Sequence, residues 1–173
     1  MRAVTICAAC SVLLFAGGAV AGNEDDYAIR KKEVVRPEVR SDKATVYIVR
    51  PAKMGAAIRM WAFADDIALG LTKGGTYAHA YLEPGDYTFW SRAENVSAVI
   101  QTVEAGKTYY FKQKVKMGGL KARVSVEFLS DADGREALEK CKSYSILTDS
   151  GKVRAAEIAA EKREKADEKA AEE

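Results

Sequence analysis

One short stretch of the chain places chemically useful side chains on the same face of a predicted strand. A period of two residues puts Tyr77, His79 and Tyr81 on one side, and the next run along the chain adds Trp90. If the two runs pair, these side chains form a platform for a sugar ring, a peptide or an aromatic ligand. The candidate ligand-binding residues are therefore Tyr77, His79, Tyr81 and Trp90. The alternative is that aromatic residues stand here only because strands favour them.

These residues do not predict an enzyme. A general base needs a nucleophile or an orienting acid within reach, and no G-x-S-x-G motif accompanies the one His of the chain. Zinc sites of the zinc-finger kind need four Cys or His ligands. Cys7 and Cys10 lie in an N-terminal segment that we expect to be removed, so only Cys141 and His79 would remain. We expect no catalytic residue, no metal and no cofactor.

Other polar residues of the chain suit structural roles better than functional ones. Asp65 and Asp66 are neighbours, which point to opposite faces in a strand, so they suit a tight turn better than a shared acid–base site. The acidic run 24–26 lacks the alternating oxygen ligands of an EF-hand. Cys141 is expected to be a small buried apolar residue, although pairing with a thiol of a partner is the alternative.

A row of lysines shares one face of a predicted strand with Tyr110. Its members are Lys112, Lys114 and Lys116. Such a row either binds an anionic polymer or protects an exposed or edge strand from aggregation. The second interpretation is favoured. The net charge of the whole chain is only +2, so composition does not point to a nucleic-acid partner.

The first 21 residues predict an export signal. Arg2 is followed by an apolar run and then by Ala19-Val20-Ala21, the small-x-small pattern that signal peptidase cuts, so we expect cleavage after Ala21. The apolar run is too short for a membrane anchor. Neither Cys7 nor Cys10 ends the run as a lipid-accepting Cys does, so a lipoprotein is not expected. The predicted location is the periplasm or the extracellular medium.

The middle of the chain is predicted to form short strands separated by turns. Residues 22–42 are charged and poor in apolar groups, which predicts a flexible leader before a domain at 43–142. We expect one antiparallel β-sandwich of seven to eight strands. The Glu83-Pro84-Gly85-Asp86 run places Pro before Gly and predicts a type II turn. The predicted strands are 44–49, 58–64, 67–71, 76–82, 86–93, 98–104, 107–116 and 121–129.

Two helical segments follow the strands. Residues 134–142 place Ala137, Leu138 and Cys141 on one side, which predicts a short helix that docks on a sheet. Residues 143–173 are read as a linker and a charged tail rich in Ala, Lys and Glu. The tail is interpreted as a solvated helix, with docking to a partner as the alternative.

Four motifs in this order resemble the bacterial domain-of-unknown-function 2846 family. They are Lys43–Pro51 (KATVYIVRP), Gly75–Tyr77 (GTY), Leu82–Thr88 (LEPGDYT) and Glu104–Tyr110 (EAGKTYY). The resemblance covers about residues 43–140 and implies an exported or lipid-anchored β-sandwich protein. It brings no catalytic residue.

The function expected from the sequence is a non-catalytic binding or interaction module of the bacterial envelope. Its partner would be an envelope protein or a glycan. The alternative is a structural or assembly accessory protein that docks a partner through its charged C-terminal helix. A hydrolase is the least favoured interpretation.

Overall fold

Two β-sheets pack face to face, and an α-helix covers part of the outer side of each sheet. The structure is a computed structural model, and it describes residues 24–31, 38–51, 55–93, 95–117 and 122–171. The predicted signal, residues 1–21, lies outside the described residues. The strands are β1 (Tyr27–Lys31), β2 (Ala44–Arg50), β3 (Met60–Ala64), β4 (Ile67–Thr72), β5 (Thr76–Leu82), β6 (Gly85–Arg92), β7 (Val96–Val103), β8 (Thr108–Met117), β9 (Ala122–Leu129) and β10 (Ser143–Leu147). The helices are α1 (Asp131–Lys140) and α2 (Asp149–Ala171), and a short 3₁₀ turn covers Glu24–Asp26.

The first sheet has six strands in the order β1-β10-β5-β2-β8-β9, and the second has four in the order β4-β3-β6-β7. The prediction of a mainly β, sandwich-like fold is confirmed. The prediction of seven to eight strands is wrong, because the described residues form ten. An all-antiparallel arrangement is also wrong, since β2 runs parallel to β8 and β10 runs parallel to β5. These pairs join strands that are distant along the chain, so no tight turn forces them to be antiparallel.

The core lies between the two sheets and takes side chains from one face of β2 to β9. Val46 and Ile48 of β2 alternate with residues that point outward, as the period of two requires. Phe89 of β6 stacks on Phe111 of β8 with ring centroids 4.0 Å apart, which joins the second sheet to the first. Burying each such side chain stabilises the fold by about 1.5–3 kcal/mol.

A buried polar network also joins the sheets. The side-chain amide of Gln113, on β8, donates from Nε2 to the Ser91 hydroxyl at 2.7 Å and to the Trp61 carbonyl at 3.3 Å. Its Oε1 accepts a hydrogen bond from the Thr72 hydroxyl. Since buried polar groups are costly without partners, this network favours one alignment of the two sheets.

The segment between β5 and β6 differs from the prediction. It carries the chain from the first sheet to the second, so β5 and β6 do not pair. Gly85 has a φ of 158° and is already paired with Val103, whereas a type II turn needs a φ of about 80° at that position. Pro and Gly mark a change of direction, but which sheet receives the next strand depends on packing with distant residues.

Strands β1 and β10 were not predicted from the sequence. Tyr27 of β1 pairs with Leu147 of β10, so the predicted leader and the predicted linker each contribute a strand to the edge of the first sheet. Both strands have only five residues. Their local signal is weak, and the hydrogen bonds between them connect opposite ends of the chain.

Helix α1 docks on the outer side of the first sheet as predicted. It begins at Asp131 rather than at Gly134, because the Ser130 side chain accepts a hydrogen bond from the Asp133 N–H and caps the first turn. Leu138 and Cys141 are buried against the sheet.

Helix α2 is not a solvated tail over its whole length. Ala155, Ile158 and Ala159 are buried against the outer side of the second sheet. Beyond them, both side-chain oxygens of Glu161 accept hydrogen bonds from Arg92, at 2.8 and 3.1 Å. The small side chains of Ala155 and Ala159 allow α2 to pack closely on the second sheet, although they form only a weak apolar stripe in the sequence. Among the helices of the described residues, none is long and apolar enough to cross a membrane.

Candidate functional site

The outer side of the first sheet carries a continuous group of aromatic rings, which we call the tyrosine face. Four strands contribute to it, because residues directly opposite each other in neighbouring strands point to the same side. Tyr47 of β2 lies opposite His79 of β5 on one side and opposite Tyr110 of β8 on the other. The tyrosine face consists of Tyr47, Tyr77, His79, Tyr81, Tyr110 and Tyr144.

The rings of the tyrosine face contact one another across the sheet. Tyr47 stacks on Tyr110 with ring centroids 5.3 Å apart and an angle of 10° between the planes. His79 stacks on Tyr144 at 5.0 Å, and its ring centroid lies 6.0 Å from those of both Tyr47 and Tyr81. Such pairs add about 0.5–1.5 kcal/mol each beyond simple burial, so the ring contacts stabilise the arrangement of the face.

Two elements partly cover the tyrosine face. Helix α1 lies over Tyr47, Tyr77 and Tyr110, all of which are buried. The segment 38–42 crosses near Tyr81, whose hydroxyl donates a hydrogen bond to the Glu38 carbonyl at 2.8 Å. His79 and Tyr81 stay half-buried.

A groove, which we call the α1 groove, lies between α1 and the segment 38–42. Its volume is about 280 Å³. Tyr47, Tyr110 and Leu138 border the groove but are more than nine-tenths buried. Most of the accessible lining therefore comes from Val39, Thr108, Arg135 and Glu139. The full lining is Val39, Tyr47, Thr108, Tyr110, Arg135, Leu138 and Glu139.

His79 lies in a partly buried site that disfavours its charged form. Burial lowers its pKa from 6.5, because the charged form loses its hydration. Its Nδ1 is buried and has no hydrogen-bond partner, and the ring contacts found for it are with Tyr47, Tyr81 and Tyr144. His79 is therefore part of a surface formed by aromatic rings.

The structure brings three of the four predicted site residues to one face. Tyr77, His79 and Tyr81 all belong to the tyrosine face, although Tyr77 is fully buried and has no surface left for a ligand. Trp90 does not join them. It lies in the second sheet, stacks on Phe63 at 4.1 Å and is buried beneath α2. The predicted pairing of its strand with β5 is wrong, and Trp90 is therefore withdrawn from the site.

The predicted site did not include Tyr47, Tyr110, Tyr144, Thr108, Arg135 or Glu139. A weak signal existed for three of them, because Tyr47, Thr108 and Tyr110 follow the outward alternation of β2 and β8. No local pattern shows that these strands are neighbours. Arg135 and Glu139 are ordinary exposed helix residues until α1 is placed on the sheet.

Asp65 and Cys141 have the structural positions that were predicted. The Asp65–Asp66 pair forms the turn between β3 and β4, where the Asp65 carboxylate accepts a hydrogen bond from the Thr88 N–H at 2.9 Å. Cys141 is a free, fully buried thiol, and burial raises its pKa to about 11. Within the described ranges, no cluster of three His, Cys, Asp or Glu residues is arranged to hold a metal ion.

The lysine row is partly neutralised. Lys112 and Lys114 lie 4.0 and 2.5 Å from the Glu127 carboxylate of the neighbouring strand β9. The side chain of Lys116 lies outside the described residues. Strand β8 is second from the edge, so the lysines do not stand on an edge strand. An anionic polymer would have to compete with Glu127 for both lysines.

Comparison with known proteins identifies the family. Residues 40–127 match the family model described as "Protein of unknown function (DUF2846)". The chain belongs to this family. The matched segment extends from the start of the domain into β9, so it includes Tyr47, Thr108 and Tyr110 but neither α1 nor Tyr144. The family predicted from the four motifs is thus confirmed.

One curated relative is similar to part of the chain. It is an uncharacterised protein of Haemophilus influenzae, 26% identical over 97 residues, which are 55% of this chain. The matched region spans 57% of the length of that relative. No solved structure is significantly similar to the chain.

Proposed function

We propose that this protein is an exported, non-catalytic binding module of the bacterial envelope, and that the α1 groove is its binding site. The observation that carries the proposal is the groove itself, whose accessible lining combines Val39 with the polar side chains of Thr108, Arg135 and Glu139. Binding sites for small ligands combine an apolar concave surface with a few polar groups that fix orientation. The α1 groove has an exposed apolar side chain, Val39, and polar groups on the sheet and on α1.

The size of the groove limits the ligand. A volume of about 280 Å³ lies at the lower end of the range for small-molecule sites, about 300–1,000 Å³. It holds one ring or one side chain of a larger molecule rather than a large cofactor. The bound group would therefore be a ring-sized part of a longer partner.

Export is supported by the sequence of the first 21 residues, and the non-catalytic role by the environment of His79. The signal pattern ends at Ala21, directly before a charged stretch. The ring of His79 is packed among the rings of Tyr47, Tyr81 and Tyr144. The exported form is expected to begin at Gly22, which N-terminal sequencing of the protein from the envelope fraction checks. Recovery of the full-length chain from the cytoplasm would contradict export.

We do not propose α2 as the docking element for a partner. Its apolar residues Ala155, Ile158 and Ala159 already pack on the second sheet of the same molecule. What remains exposed along its second half is mainly charged and solvated.

A titration with ring-containing fragments tests the binding site. Nuclear magnetic resonance of the ¹⁵N-labelled protein should show fragment-induced shifts clustered at the amides of Thr108, Tyr110 and Leu138. The substitution Val39→Trp places a large ring at the wall of the groove and should weaken fragment binding at least about tenfold, that is by about 1.4 kcal/mol.

The matched control is Val96→Trp. Val39 and Val96 are both exposed valines, at 57% and 52%, but Val96 lies on β7 of the other sheet. The control should bind fragments as the wild type does. Equal binding by the two variants, shifts clustered elsewhere, or no binding fragment at all would overturn the proposal.

A further inference from the structure

The outer side of the β8–β9 pair has a basic end beyond the part that α1 covers. Helix α1 packs on the end of these strands that contains Tyr110 and Leu129. The other end presents Lys112, Lys114 and Arg123, which we call the basic patch, because alternate residues of paired strands share one side of the sheet. Between Lys112 and Arg123 inclusive, the sequence has five basic residues and no acidic one. Positive charge is therefore concentrated at this end of the first sheet.

One carboxylate neutralises only part of the basic patch. Glu127, on β9, lies 4.0 Å from the Lys112 Nζ and 2.5 Å from the Lys114 Nζ, so two cations share a single negative charge. Arg123 is exposed and makes no ion pair with a carboxylate in the part of the chain that the structure describes. The register places Arg123 opposite Lys116, and like charges at directly opposite positions destabilise a strand pair. Three cations and one carboxylate leave two positive charges without a partner.

Protection of an edge strand does not account for the basic patch. The edge of the first sheet is β9, whereas both lysines of the patch stand on β8. Side chains of β7 also occupy two N–H groups of β9. The Val124 N–H donates to the Asn95 side chain at 2.6 Å, and the Val126 N–H donates to the Ser97 hydroxyl at 3.1 Å. Since this edge is already covered, the positive charges are not needed to keep another strand away.

We propose that the basic patch binds anionic lipid headgroups at the surface of a bilayer. Side chains on one face of a sheet stand roughly perpendicular to it, so their charged ends reach a common plane. A bilayer offers phosphate groups in a plane, and lipids diffuse to positions beside the cations. The attraction adds up over the Lys and Arg residues near an anionic surface and falls off within a Debye length. The protein would lie on the bilayer with this end of β8 and β9 towards it. The proposal does not depend on the α1 groove.

A soluble anionic polymer is the alternative partner. The affinity of a protein for such a polymer rises with the number of phosphates that its cations neutralise along the strand. The basic patch offers three cations, one of them in close contact with Glu127, and the net charge of the whole chain is only +2. A few cations on one flat face suit a bilayer better, because the lipids supply the matching arrangement of charges.

Co-sedimentation of the full chain with lipid vesicles tests the proposal. The probes are vesicles of phosphatidylcholine alone and vesicles of phosphatidylcholine with an equal amount of phosphatidylglycerol. Binding to the anionic vesicles should be at least about tenfold stronger, and added salt should weaken it, because salt screens exposed charges. The neutral vesicles measure any binding through the apolar N-terminal run. Equal binding to the two kinds of vesicle would overturn the proposal.

A matched pair of double variants locates the contact. Lys114→Gln combined with Arg123→Gln removes two positive charges from the patch and should weaken binding to the anionic vesicles at least about tenfold. Lys152→Gln combined with Arg154→Gln removes the same charges from exposed positions of α2, which packs on the other sheet. The control should bind within about twofold of the wild type, because its charges lie away from the bilayer. Equal losses in the two double variants would contradict the assignment to the patch.

The substitution Glu127→Gln gives a change in the opposite direction. It removes the carboxylate that Lys112 and Lys114 share and should strengthen binding to the anionic vesicles about threefold or more. A gain of this kind does not arise from a general loss of binding through misfolding. Unchanged or weaker binding by Glu127→Gln would count against an electrostatic contact at this site.

Polyphosphate serves as the probe for a soluble anionic polymer. If the protein binds polyphosphate but not the anionic vesicles, the patch recognises a polymer and the lipid proposal is wrong. If it binds neither probe, the patch is a solvated surface and the proposal is also wrong. These outcomes are independent of the fragment titration, so the α1 groove stands or falls separately.

Discussion

Replacing Gly134 by Ala sets helix propensity against the packing of α1 on the first sheet. Gly134 faces the ring of Tyr110 in the first part of the helix. A Cβ atom at this position would lie 2.2 Å from Cγ and 2.3 Å from Cδ2 of that ring. Carbon atoms in ordinary contact are about 3.5–4.0 Å apart, so either the helix or the ring must move by more than about 1 Å.

The magnitude follows from three effects. Ala in place of Gly stabilises a helix by about 1 kcal/mol. Overpacking of a close contact costs about 1–3 kcal/mol. Movement of α1 away from the sheet also exposes part of Leu138, whose full burial contributes about 1.5–3 kcal/mol. The packing terms exceed the propensity term, and we expect Gly134→Ala to lower the free energy of unfolding by about 1–3 kcal/mol.

Urea denaturation followed by circular dichroism measures this change. For a protein of this size each kcal/mol lowers the melting temperature by about 2–4 °C, so a thermal scan gives a second estimate. Glu136→Ala, at an exposed position of the same helix, serves as the control and should stay within about 0.5 kcal/mol of the wild type. A Gly134→Ala protein at least as stable as the wild type would refute the close packing of α1 on Tyr110.

Two pH dependences are expected as well. The folded pKa of His79 lies below its usual value of 6.5, so the unfolded chain binds the proton more readily and wild-type stability should fall as the pH drops below about 6.5. In urea titrations between about pH 7.5 and pH 5, the free energy of unfolding of His79→Gln should fall less than that of the wild type. The same dependence on pH in both proteins would contradict the burial of the ring. Hydrogen bonds from Arg92 and Lys165 lower the pKa of Glu161 to about 2, from 4.5. The contribution of Glu161 to the free energy of unfolding is therefore present above about pH 4.5 and lost as the pH falls towards 2. The difference in stability between the wild type and Glu161→Gln should shrink over that window. A difference that stays constant would argue against the Arg92 contact.

Most of the strands follow from local sequence patterns. Alternating β-branched and aromatic residues with Gly, Pro and Asp at the bends predicted strands that overlap each of β2 to β9, and the Asp65–Asp66 turn joins β3 and β4 as expected. These features depend on side-chain direction and turn chemistry within a few residues. The docking face of α1, with Leu138 and Cys141, is equally local.

The candidate site was predictable only in part. The shared face of Tyr77, His79 and Tyr81 follows from the period of a single strand. The assignment of Trp90 failed because it assumed that β5 and β6 pair, whereas the chain between them passes to the other sheet. A tight turn and a crossing between sheets use the same residues, Pro84 and Gly85, and local chemistry does not separate them.

Family membership, a mainly β fold and the alternation of each middle strand are therefore properties of the linear order of residues. The α1 groove is not, because it joins Val39, Thr108 and Glu139, which are far apart in the chain. Likewise, β1 and β10 become strands through hydrogen bonds to each other, and α2 is held by Trp90 and Arg92 rather than by its own weak apolar stripe. Long-range contacts of this kind depend on which surfaces remain available after the sheets have formed, and that is a property of the whole fold.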